Sequence, residues 1–404
     1  MCPGMIRKVK KRYEYIDYVK ALIIIIVVMV HTGFDMLTPI SNVCMIVLVV
    51  CSGITLSLKE KPLKEMIVSR FKRIMLPFWG AIAVYSVFEV WRAGYLGYSD
   101  YRIAYPGILA MFYGVTAKMP VISGITDPLY EILSYKLAFH TYFSLDAVMP
   151  TISHLWFLPA MFVGSVLYFV YTKYVKTRGI LDAVTIVVLL WLAYLESPPT
   201  VIQFPFNIGR GFLVCACLIF GANLRRWDIF NLNIKGYMIY AVSIVITFSL
   251  LNCIDNGPIS IISSIYPLGN IWGMYLFYLE GISASIFLLF TLKLVSEKVS
   301  CQILLDIGKN TMTIYLWHMI FLTIFGLMIL RIFGVSAEPD IFFLPFIPES
   351  RTDLRLLVDA FTVGMCLFIA NTDKRPNRKL YIFGILTFII LCIAGLTFTG
   401  HVAV

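Results

Sequence analysis

Residues 13–35, YEYIDYVKALIIIIVVMVHTGFD, decide the fold. Positions 21–30 are apolar without interruption, so this run lies against lipid or deep in protein. Four polar groups bracket it: Asp17, Lys20, His31 and Asp35. At roughly 100° per residue they fall within about 60° of one another on a helical wheel, a single stripe. Lys20 and His31 are 31 − 20 = 11 residues apart, about 16 Å along a helix axis. A charge near the centre of a bilayer costs on the order of 2.5–3.5 kcal/mol. The stripe is therefore expected to face protein or a water-filled cavity. A signal-anchor helix carrying a hydrogen-bonded histidine is the plainer alternative.

The composition agrees. Of 404 residues, 60% are hydrophobic and 14% charged, far below the ~25% charged of soluble domains. The expected class is an all-α, polytopic helix bundle in the cell membrane. The net charge of +10 is read as positive-inside loops, and no nucleic-acid partner is expected. The nine cysteines show neither CxxC nor His/Cys ligand spacing, so neither a disulfide framework nor a metal site is expected.

Hydropathy places eleven spans near 17–37, 41–58, 76–92, 152–172, 180–196, 208–224, 237–254, 268–292, 311–333, 353–371 and 380–399. Most of the 33 Lys and Arg residues fall in alternate connections, which puts the N-terminus in the cytoplasm. Connection 59–75 reads as a basic, amphipathic loop leading into Pro77. Segment 93–151 reads as a long, tyrosine-rich outer stretch, with 107–123 apolar enough to enter the interface. Neither an internal repeat nor an appended soluble domain is evident, so residues 1–404 are expected to form one transmembrane domain.

In so apolar a chain the intramembrane polar groups are informative. Beyond the first stripe these are Glu89, His154, Arg210, Glu280 and His318. SHLWFLPA (153–160) sets His154 two residues before Trp156, and NTMTIYLWHMIF (310–321) sets His318 three after Tyr315. For each histidine a satisfied core position is the plain alternative. Glu280, in YLEGISAS, needs a partner, and structural pairing and substrate contact are both open. In SRFKRIMLP (69–77), Arg70 and Arg73 share a face if helical. Paired guanidiniums suit phosphates, although basic residues at this membrane surface are also routine.

The ordered set YIDYVKALIIIIVVMVHTG, SRFKRIMLP, SHLWFLPA and NTMTIYLWH resembles the acyltransferase family 3 membrane O-acyltransferases over nearly the whole chain. That resemblance implies transfer of an acyl group, commonly acetyl, from cytoplasmic acyl-CoA to a hydroxyl of a cell-surface glycan or lipid-linked sugar. The setting it implies is a bacterial inner membrane, with membrane lipid as surroundings and no bound cofactor. The family's basic residue, ten intervening residues and histidine correspond to Lys20 and His31. Lysine instead of the commoner arginine is similar to the fucose- and surface-polysaccharide O-acetylase branch. It keeps the charge without the forked geometry. The family's RxxR pair corresponds to Arg70 and Arg73.

On this reading His31 is the general base and Asp35 orients it. Lys20, Arg70 and Arg73 hold the donor, and Asp17, His154, Trp156, Glu280, Tyr315 and His318 are supporting or acceptor-site candidates. A transporter or flippase of a glycan or lipid is the competing class, and a catalytically inactive scaffold is a third.

Overall fold

A chain segment in hydrocarbon must satisfy its own backbone, and an open segment can do so only as a helix. The computed structural model describes residues 13–56, 62–95, 154–175, 179–195, 205–230, 233–254, 271–335 and 347–372, and no strand occurs among them. The helices are α1 (Glu14–His31), α2 (Thr38–Thr55), α3 (Leu63–Arg70), α4 (Leu76–Tyr95), α5 (Phe157–Tyr174) and α6 (Ile180–Leu195). They continue with α7 (Ile208–Arg226), α8 (Ile234–Ile254), α9 (Ile271–Ser296), α10 (Gln302–Lys309), α11 (Thr311–Ile332) and α12 (Thr352–Asn371). Every span expected between 17 and 371 coincides with one of them. The span at 380–399 and nearly all of the tyrosine-rich segment 93–151 lie outside the described residues.

Two boundaries differ from expectation, each for a local reason. The first helix does not run on to 37. It stops at His31, with Thr32 as C-cap and Gly33 at φ +91°, a backbone state that glycine reaches without strain. Asp35 instead opens a 3₁₀ turn, Asp35–Leu37, beyond the end of the helix, so the α-helical wheel does not extend to it, and its side chain lies outside the described part.

The basic connection is not a loop from 62 onward. α3 enters α4 through a π-helical turn, Phe71–Met75, in which the Leu76 N–H reaches back to the Phe71 carbonyl. Pro77 is the cause. In a regular α-helix its ring would collide with the carbonyl four residues earlier, at Arg73, and leave that carbonyl without its donor. The wider turn relieves the clash.

α7 is the hub. Its small residues, IGRGFLVCACLIFGA (208–222), let three neighbours approach closely. At the crossing with α2, a Cβ on Gly221 would lie 2.4 Å from the Val50 carbonyl oxygen, and one on Gly53 would lie 2.6 Å from that of Leu218. At the crossing with α5, a Cβ on Gly164 would lie 2.8 Å from the Gly211 carbonyl oxygen. At one end of this hub Asp182 of α6, 2% exposed, takes Arg226 of α7 at 2.6 Å and the hydroxyl of Tyr171 of α5. Arg225 donates to the carbonyls of Ile54 and Leu56, both at 3.3 Å, and so caps the C-terminus of α2 with a cation. α11 is different in kind. It is apolar all round, and 83% of its most apolar window is buried, which makes it a central helix.

Gly221→Leu is expected to force α2 and α7 apart at a cost of about 1–3 kcal/mol. Gly80→Ala, where an added methyl meets nothing within 4 Å, should be neutral or slightly stabilising. Thermal unfolding of the two variants in the same detergent checks the contrast.

Candidate active site

Three elements bring one imidazole each to a common point. His31 ends α1, His154 opens a 3₁₀ turn (His154–Trp156) ahead of α5, and His318 lies in the second turn of α11. Ring centres are 4.7 Å apart for His154 and His318, 5.3 Å for His31 and His318, and 6.5 Å for His31 and His154. Pro159 falls in the first turn of α5, where its missing N–H is not needed, so the turn and helix join without a break.

The surrounding hydrogen bonds set the tautomers. A peptide carbonyl only accepts, so the ring nitrogen facing it carries the proton. His154 Nε2 donates to the Tyr315 carbonyl at 3.0 Å. His318 Nδ1 donates to the same carbonyl at 3.0 Å and to that of Ile314 at 3.1 Å. Tyr315 returns the contact by donating its hydroxyl to the His154 carbonyl. Tyr85 of α4 closes the group: its hydroxyl donates to the Leu316 carbonyl at 2.9 Å, and its ring stacks on Trp317 and meets His154 edge-on at 5.6 Å. His318 and His154 are 0% and 3% exposed, whereas His31 is only part-buried. His31 is thus the most exposed of the three residues.

The end of α1 is held by α12. Thr32 donates its hydroxyl to the Met29 carbonyl at 2.8 Å and to Asp359, at 3.0 and 3.2 Å to the two carboxylate oxygens. Arg355, one turn earlier on α12, donates to the carbonyl of Gly33 and to that of Ile347. A guanidinium on the carbonyls past the C-terminus of α1 complements its dipole. Both side chains are buried, at 4% for Arg355 and 7% for Asp359.

On the other side of Tyr315 lies a cavity of about 640 Å³, within the usual size range of ligand sites. Lys20 of α1, Arg70 and Arg73 of the α3–α4 junction and Lys309 of α10 line it, with no carboxylate among the lining residues. Its wall continues through Met161, Leu158 and Phe157 to Tyr315. The Arg70 guanidinium lies 5.7 Å from the centre of the Phe169 ring. Phe71 wedges between Trp79 at 5.3 Å and Phe162 at 5.8 Å, which pins the π-turn to α5. α10 is placed by Gly308, where a Cβ would lie 1.9 Å from the Asp17 carbonyl oxygen. That approach seats Lys309 beside the start of α1, three residues before Lys20.

The expected residues sort accordingly. Lys20, Arg70 and Arg73 meet in one cavity, His31, His154 and His318 meet in one cluster, and Tyr315 belongs to both. Asp17 is buried against α10 and does not line the cavity. Trp156 lies under Arg210, at 4.9 Å from ring centre to guanidinium, and is held through its carbonyl by Asn207 at 3.1 Å. Glu280 is buried on α9, outside the cavity lining. Three contributors were passed over in the sequence. Lys309 looks like one more positive-inside charge. Arg355 and Asp359 stand one turn apart inside an apolar span, which is itself a signal. Among the described residues no group of His, Cys, Asp and Glu side chains converges in metal-holding geometry.

The structure is a helical membrane bundle with buried imidazoles next to a cationic cavity. The family model described as "Acyltransferase domain", that of acyltransferase family 3, matches residues 13–348, and the chain belongs to that family. It is a membrane acyltransferase. No curated protein and no solved structure gives a significant match. The matched stretch ends before α12, so the Arg355–Asp359 clamp on α1 is contributed from outside it.

Asp359→Leu is expected to remove the contact that ties Thr32 to α12, loosen the last turn of α1 and cut acyl transfer at least tenfold, with lowered thermal stability. Asp359→Asn, which keeps an acceptor oxygen, should retain most of both. Paired thermal unfolding and transfer assays in detergent test this.

Proposed function

We propose that this protein transfers an acetyl group from cytoplasmic acetyl-CoA to a hydroxyl of a cell-surface glycan or lipid-linked sugar, with its N-terminus in the cytoplasm. The observation that supports this best is the cavity with four cations and no carboxylate, ending on the tyrosine that holds two of the three histidines. Coenzyme A is a polyanion at one end and a thioester at the other. Lys20, Arg70, Arg73 and Lys309 hold its phosphates, each through charge-assisted hydrogen bonds worth about 1.5–3 kcal/mol. The pantetheine arm runs past Phe157 and Tyr315, and the ~16 Å from Lys20 to His31 along α1 sets its reach.

His31 takes the proton of the acceptor hydroxyl as the oxygen attacks the thioester carbonyl. The tetrahedral species collapses with cleavage of the C–S bond. The imidazolium returns the proton to the departing thiolate, so free CoA leaves as the thiol and the acceptor leaves as the ester. Polar N–H and O–H groups in a water-poor site stabilise the oxyanion far better than solvent would.

His31→Ala is expected to abolish acetyl transfer in membranes while the protein still inserts and accumulates. Full activity in that variant removes His31 from the chemistry. Arg70→Ala, Arg73→Ala and Lys309→Gln should each raise the KM for acetyl-CoA by about 10- to 100-fold with a smaller effect on kcat, following the loss of one charge-assisted bond. Calorimetric titration with acetyl-CoA checks the same residues without an acceptor. A transporter of glycan or lipid would bind no acetyl-CoA at all.

A further inference from the structure

His318 is the most deeply buried of the three imidazoles and the one with an unused nitrogen. Its Nδ1 proton is committed to two backbone carbonyls, so its Nε2 is a lone pair. That atom is buried and has no hydrogen-bond partner among the described residues. An orphan acceptor at this depth is costly and calls for an explanation.

The neighbours narrow the choice of donor. His154 spends its N–H on the Tyr315 carbonyl, so the nitrogen it has left is also an acceptor. The Tyr315 hydroxyl is given to the His154 carbonyl, and the Tyr85 hydroxyl to that of Leu316. His31 remains. Its ring is tied to no peptide carbonyl among the described residues, it is part-buried, and its centre is 5.3 Å from that of His318 with 37° between the planes. Two imidazoles sharing an in-line N–H···N bond of about 2.9 Å have ring centres about 5.2 Å apart. The rings are thus at bonding separation, and a small turn of the His31 side chain, not a movement of helices, makes the bond.

We propose that His318 is the positioning residue for His31. Its Nε2 lone pair accepts the N–H of one His31 ring nitrogen. That fixes the His31 tautomer, turns the other nitrogen's lone pair towards the acceptor hydroxyl, and stabilises the ring when it carries the transferred proton. This is the role expected of Asp35 and filled by a carboxylate in serine-hydrolase triads. A neutral imidazole takes it here because an uncompensated carboxylate is costly to bury inside the membrane. Exposure divides the labour: the ring that touches substrate is the part-exposed one, and the ring behind it is sealed by α11. The catalytic part of this inference rests on the proposed base role of His31, but the contact itself does not.

The test therefore has two arms. In protein carrying ¹⁵N-labelled histidine in lipid, with His31→Gln and His318→Gln used to assign the signals, His318 is expected to be protonated at Nδ1 and bare at Nε2. A through-bond nitrogen–nitrogen coupling to His31 is also expected. A His318 protonated at Nε2, or one with no coupling to His31, overturns the proposal even if the enzyme is fully active. In the second arm His318→Leu should lower kcat about 10²- to 10⁴-fold, the usual scale for general-base assistance, with the KM for acetyl-CoA within about twofold. His318→Gln, which restores an acceptor near the position of Nε2, should recover at least tenfold of that loss. A leucine variant that keeps its kcat, or whose loss lies wholly in KM, also overturns the proposal. Failure of the native protein to transfer acetyl would instead defeat the functional reading and leave the first arm to decide the contact.

Discussion

A single peptide carbonyl, that of Tyr315, carries the site. It accepts an N–H from His154 and another from His318, and so joins the start of α5 to the second turn of α11. In water such a bond is worth little, because solvent offers an equal one. Within a bilayer there is no such competitor, and an unmade bond costs several kcal/mol. The two histidines are therefore held in register by the expense of every alternative, and the same bonds decide which of their nitrogens are basic. Position and protonation state come from one interaction.

The second ingredient is separation along the helix axes. On α1 eleven residues separate Lys20 from His31, and along the π-turn and α4 twelve (85 − 73) separate Arg73 from Tyr85, about 16–18 Å each. Cations lie at one depth and imidazoles at another, on helices that pack with the same rise. Under the proposed function, a long anionic molecule with a reactive end fits this ruler, its charge neutralised where water is available and its chemistry placed where it is not. Gly308 sets part of the scale by letting α10 touch the backbone of α1, which brings a lysine from late in the chain into a site begun by the first helix.

Much of this was legible before any coordinates. Apolar runs of span length have one outcome in lipid, so ten of the twelve helices could be placed, whereas the short α3 and α10 fall in connections between expected spans. Polar residues in such runs are costly enough to be worth naming, so His31, His154 and His318 could be picked out one by one. A helical wheel, however, speaks only within one helix. It could not bring three histidines together, and it does not apply past the end of the helix, where Gly33 turns the chain before Asp35. Burial alone does not sort these groups: Glu280 is as deep as His154, and only the ring contacts of His154 place it in the cluster. Lys309 was hidden by its company, one cation among many at a membrane surface. Arg355 and Asp359 were visible as a charged pair in an apolar span, but their target, the last turn of α1, lies 359 − 32 = 327 residues away in sequence.

The π-turn at Phe71–Met75 has a consequence of its own. Each residue added to a helix rotates all that follows by about 100° relative to what came before. A widened turn absorbs one such step without breaking the rod. The face that carries Arg70 and the face that carries Tyr85 are thereby set independently, like two keys cut on one shaft. Variation in the length of the junction would retune how the arginines face the cavity, while the aromatic wall around the histidines kept its aim.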